Sequence, residues 1–264
     1  MSVSDIRTTR TTHSRRMLRL GGWIAIAGTI LSVVVNVLHP HQNIPTDPFM
    51  LEVHETSYWI PLHIGIVFAQ LLDLVAMLAI GRTLRKSMRS DLVRYADGAA
   101  IVAAAVMLTL MGQDGFATKH IADYYETTTG AAHVAAYPVA YAFLLLLLAG
   151  LGLWYLVFFG VAMPLYAIAQ LRSTFYPRWI GLLGLGSGIC GLITGSLIYT
   201  LGSSFLVTTL MFLVFSFLGF LWLLVTGLHM LSVAKAPAGD AQLGADEVAE
   251  PALAGVGSGA SEGN

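Results

Sequence analysis

Six apolar runs, each near 20 residues, recur along the chain and are separated by short segments rich in Pro, Gly or charge. A helix of that length crosses a hydrocarbon core of roughly 30 Å. The first run, Arg19 to Leu38, predicts a helix. The loop after it carries Pro40, Pro45 and Pro48, which oppose regular helix. Phe49, Met50, Leu51 and Val53 are therefore expected to lie on the outer surface. Tyr58 and Trp59 mark an interface where amphipathic aromatics settle, and the second helix runs on to about Ile80.

The third run is short. Its uncharged stretch, Gly98 to Gln113, has 16 residues, or about 24 Å of helix, so Asp97 or Asp114 must lie at or inside the membrane boundary. Arg94 stands one turn before Asp97 and is its expected partner. A second outer loop, 118–137, leads to a fourth run beginning at Pro138. That run is too long for one untilted span. Gly150, Gly152 and Pro164 predict a span to about Gly160, a kink, and a continuation to Leu171. The fifth, Trp179 to Leu201, contains Gly184-xxx-Gly188 and Gly191-xxx-Gly195, spacings that let helix backbones approach closely. The sixth, Phe205 to Leu231, follows a short turn. The pattern predicts an all-α, polytopic transmembrane bundle of six helices.

Charge orients the bundle. Thirteen of the fourteen Lys and Arg residues fall on one side of these runs, and only Lys119 falls on the other. Lys and Arg near span ends are retained in the cytoplasm. Both termini are thus expected inside, in a multi-pass protein of the cytoplasmic (inner) membrane. Residues 1–17 are expected to be a mobile cytoplasmic segment, 18–235 the transmembrane domain, and 236–264 a disordered acidic tail rich in Ala and Gly, too poor in apolar bulk to fold.

Composition agrees and excludes some classes. The chain is 56% hydrophobic and 11% charged, with one cysteine, Cys190. Disulfides within the chain and thiolate metal clusters are ruled out. No clustered basic face on a folded domain suggests nucleic acid; the expected partners are the lipid bilayer and a small-molecule ligand.

Chemistry is concentrated in the first half. His63, Gln70 and Asp73 share a face of the second helix. Asp73 lies about 13 Å from the basic boundary, near mid-membrane, where an ionisable group costs at least about 2.5 kcal/mol and normally faces the bundle interior. It either lines a cavity or ties two helices through a Ser, Thr or Tyr. Asn36, His39, His63, Gln113 and Asp114 project to a common depth at the outer third. With Gln70 and Asp73 they are expected to form an outward-facing polar pocket. His39, His63, His120 and His133 are the candidate ligands for a metal, or for the iron of a haem. The sequence carries no HExxH, no CxxCH and no recognisable facial triad, so hydrogen-bonding roles for these histidines stand beside the metal reading. Trp154, Tyr155, Tyr166, Tyr199 and Trp222 are expected to be packing or interface residues.

Leu38-His39-Pro40 closing the first span, Trp59-xxx-His63 opening the second, and Tyr176-Pro177-Arg178-Trp179-Ile180-Gly181 opening the fifth resemble a family of bacterial six-span membrane proteins, grouped as a domain of unknown function. The resemblance implies the six-span topology and supplies no activity or site residue. Together these features favour a non-enzymatic protein that binds or moves a small solute or lipid through the outward-facing pocket. The alternative is a membrane-embedded enzyme using a metal or haem on the outer histidines.

Overall fold

A computed structural model describes residues 3–39, 46–87, 91–202 and 216–236. Every element assigned among them is helical: α1 (Val3–Leu38), α2 (Asp47–Glu55), α3 (Trp59–Ser87), α4 (Leu92–Gly112), α5 (Lys119–Thr127), α6 (Gly130–Val157), α7 (Met163–Arg172), α8 (Arg178–Leu201) and α9 (Ser216–Lys235). Two π-helical segments interrupt long helices, Gln113–Thr118 between α4 and α5 and Phe158–Ala162 between α6 and α7.

Six of the resulting helices are long and apolar enough to cross a membrane. Each also turns bulky apolar side chains away from the protein: Trp23, Phe68, Val102, Leu146, Leu182 and Phe217 are exposed, one from each span. Apolar surface on this scale would drive association in water, whereas lipid solvates it. This is a multi-pass membrane protein.

The spans close into a ring in chain order. α1 packs on α3, α3 on α4, α4 on α6, α6 on α8, α8 on α9, and α9 returns to α1. The glycines of α8 make one of these seams close. A Cβ on Gly191 would collide with the Phe159 side chain, and one on Gly184 would meet the Trp222 indole at 2.5 Å. The Gly-xxx-Gly spacing thus serves packing against the second π segment and α9.

One end of the ring gathers the basic residues. Arg15 donates from Nη2 to the Ala236 carbonyl at 3.1 Å, tying the α1 start to the α9 end. Arg85 on α3 pairs with Asp97 on α4 at 3.0 Å. Thr83 bonds the Tyr176 hydroxyl at 2.6 Å, and His229 donates from Nε2 to the Phe175 carbonyl at 2.8 Å. These contacts place the later part of α3 and the α7–α8 connection beside α9.

Several expectations need correction. α1 starts at Val3 rather than Arg19, and α3 continues through Ser87 rather than stopping near Ile80. The loop between the first two spans contains a helix despite its prolines. Thr46 accepts the Phe49 amide as N-cap, and Pro48 sits in the first turn, where its missing N–H costs nothing. Phe49, Met50 and Val53 are buried beneath α2, and only Leu51 is exposed. Most of the 118–137 segment is also helical, because α5 extends the third span and α6 begins at Gly130, eight residues before Pro138. The fourth span passes Gly160 through a π segment and continues as α7 to Arg172, where the sequence predicted a kink and a continuation to Leu171. Asp97 does not pair with Arg94. Arg94 turns to Asp91, while Asp97 takes Arg85 and the Tyr166 hydroxyl, partners from other helices that local spacing could not reveal. The sixth run's first part and the tail beyond Ala236 lie outside the described residues.

Candidate functional site: a polar-walled cavity inside the ring

The ring encloses a cavity of about 110 Å³. Its walls differ in character. α1 and α3 supply Ser32, Asn36, Gln70 and Asp73, with His39 and Asp114 at one end; α4 and α6 supply Met107, Leu110, Leu147, Leu151 and Trp154. A polar strip therefore faces an apolar one.

Asp73 is the deepest ionisable member and is 4% exposed. Its Oδ2 accepts the Ser32 hydroxyl at 2.8 Å, linking α3 to α1. Gly28 gives the carboxylate room, since a Cβ there would collide with Oδ1. Both readings of Asp73 hold at once: it ties two helices, and it lines the cavity. Its Oδ1 and the Gln70 amide nitrogen are buried with no hydrogen-bond partner among the described residues. Buried polar groups are usually paired, and leaving one unpaired costs about 1–3 kcal/mol. Asn36 lines the cavity but turns its amide back onto the Ser32 carbonyl at 2.7 Å.

At the other end of the cavity, three elements bring His39, His63 and Asp114 together. His63 lies one turn into α3 and is 2% exposed. Its Nδ1 is 2.8 Å from the Trp59 carbonyl. A carbonyl only accepts, so Nδ1 carries the proton and a neutral ring leaves Nε2 bare. That nitrogen lies 3.2 Å from Asp114 Oδ2, and His39 Nε2 lies 3.9 Å from the same oxygen. Asp114 rides on the first π segment, whose wider turn re-aims side chains and recurs at functional sites. Trp59 fixes that segment by donating its indole N–H to the Asp114 carbonyl at 2.8 Å. Gly115 lets it abut α3, because a Cβ there would meet the His63 Cβ at 2.5 Å.

The other sequence candidates lie elsewhere. Gln113 is exposed and does not join the pocket. His120 is exposed and meets the Phe116 ring edge to face. His133 donates from Nδ1 to the Tyr125 carbonyl at 3.0 Å and stacks on that ring. Neither belongs to the His39–His63–Asp114 group. Lys119, at the end away from the other basic residues, donates to the Val53 and His54 carbonyls at the end of α2 and to Asp123, all from Nζ. It is a clamp.

Trp154, which the sequence suggests only as packing, lines the cavity, and its indole nitrogen is buried without a partner among the described residues. Ser32 and the second π segment's Phe158 also line it. Nothing in local sequence marks these three, since an aromatic or serine within a span reads the same whether it faces a neighbour or a void.

No protein-family model, no curated protein and no solved structure matches the chain.

Proposed function

We propose that the protein binds or moves a small amphipathic solute through the cavity inside its ring of spans. The observation that carries this reading is the set of buried, unpartnered polar atoms held by residues that line one void: Asp73 Oδ1 and Asp114 Oδ1 as acceptors, Gln70 Nε2 and Trp154 Nε1 as donors. A ligand with both a donor and an acceptor, such as a hydroxyl or amide compound, satisfies them while its apolar body rests on α4 and α6. Two carboxylates disfavour an anion. The volume is of the order that admits a benzene-sized molecule, which favours a small solute or one end of a lipid over a haem macrocycle.

The basic end of the ring faces the cytoplasm by the positive-inside tendency, so both termini lie inside and the His39 end opens outward. The membrane on this reading is the bacterial inner membrane, in keeping with the resemblance to six-span bacterial proteins.

Native mass spectrometry of protein extracted in mild detergent tests the binding. The expected result is a small-molecule adduct that is absent from a cavity-filling Leu147→Trp variant of unchanged melting temperature. No adduct on the wild type after incubation with a panel of small alcohols and amides, or the same adduct on Leu147→Trp, contradicts the proposal.

A further inference from the structure

We infer that His39, His63 and Asp114 form a binding site for a first-row divalent transition metal at the outer mouth of the cavity. One ligand atom from each of the three lies within 4.8 Å of the other two. Metal–ligand bonds to His nitrogen and carboxylate oxygen are about 2.0–2.2 Å, so neighbouring ligand atoms in a tetrahedral site stand about 3.4 Å apart. The two separations to Asp114 Oδ2, 3.2 and 3.9 Å, bracket that edge. Closing the His39–Asp114 edge to that value takes about half an ångström of side-chain movement.

The hydrogen bonding favours a metal over a simple ion pair. His63 Nε2 and Asp114 Oδ2 are close, yet no hydrogen bond joins them, so an N–H on that nitrogen would not aim at the oxygen. Ligands of one ion aim at a shared point and not at each other. His63 is buried, and its other nitrogen is committed to the Trp59 carbonyl, the outer-partner arrangement that fixes tautomer and ring orientation in metal-bound histidines. Asp114 makes no ion pair with Lys or Arg among the described residues, and a metal held between it and the two imidazoles would balance its charge.

Two imidazoles and one carboxylate suit Zn²⁺, Fe²⁺ or Co²⁺ over Mg²⁺ or Ca²⁺, which prefer all-oxygen shells. Three protein ligands leave at least one coordination position open. His39 and Asp114 both line the cavity, so water or the polar end of an occupant takes that position. The site stands whether or not the cavity holds an organic solute.

The test is Co²⁺ and Zn²⁺ titration of full-length, chelator-stripped protein in detergent, read by cobalt d–d absorption and by elemental analysis. The wild type should take up one equivalent, with the intense bands of a low-coordinate site. His63→Ala and Asp114→Ala should weaken binding by more than the 10–100-fold that follows loss of an outer partner. His120→Ala should bind like the wild type. His39→Gln guards against misfolding, because His39 is half-buried at the end of α1; this variant should fold, run as a single species and lose the bands. A wild type that takes up no stoichiometric metal, or a His39→Gln protein with unchanged bands and affinity, overturns the site and leaves a His63–Asp114 ion pair.

Discussion

Asp73 shows how one side chain can serve structure and cavity together. Its Oδ2 holds the Ser32 hydroxyl, and its Oδ1 lies buried beside Gly28 without a hydrogen-bond partner among the described residues. Asp73→Asn keeps an acceptor for Ser32, so its unfolding free energy in detergent should fall by no more than about 1 kcal/mol, the scale of hydrogen bonds between membrane helices. Asp73→Leu strips Ser32 of its acceptor and crowds Gly28, and should cost about 1–3 kcal/mol. A Leu variant as stable as the Asn variant would show that this carboxylate does not tie α1 to α3. The importance of Asp73 was legible in the sequence, because a charge at mid-membrane depth must face inward. Its partner was not. Ser32 is 41 residues away, and spacing along one helix carries no information about which serine faces it.

At the scale of elements, the third span illustrates both what patterning gives and where it stops. An uncharged stretch too short for the membrane draws attention to Asp114, while the π turn that carries it packs on Trp59 and on the Gly115–His63 contact from another helix. The same limit hid α2. Three prolines argued against helix, but Thr46 and Pro48 form a regular N-terminus and the apolar residues find a covered face. Lys119 clamps that element by capping the α2 C-terminus and meeting Asp123. Charged hydrogen bonds of this kind contribute about 1.5–3 kcal/mol. Lys119→Met should therefore raise hydrogen exchange across 47–55 by roughly tenfold or more, with the six spans unaffected. Unchanged exchange in α2 would mean that the buried Phe49, Met50 and Val53 hold it alone.

For the whole molecule, hydropathy alone foretold six spans, and the structure closes them into a ring around a void. The ring order was not legible, since equally apolar helices carry no label for their neighbours. For the His39–His63–Asp114 group, whose members lie up to 75 positions apart, the shared depth was legible, but not that Gln113, His120 and His133 stand outside it. The central claim is that this void is reachable from the end opposite the basic residues. Cysteine accessibility in intact cells, in a Cys190→Ser background, tests it most directly. Asn36→Cys, within the cavity, should react with a small membrane-impermeant thiol reagent, as should exposed Thr129→Cys. Thr174→Cys, at the basic end, should react only after permeabilisation. An Asn36→Cys protein that stays inert while Thr129→Cys is labelled, or one labelled only together with Thr174→Cys, contradicts the account.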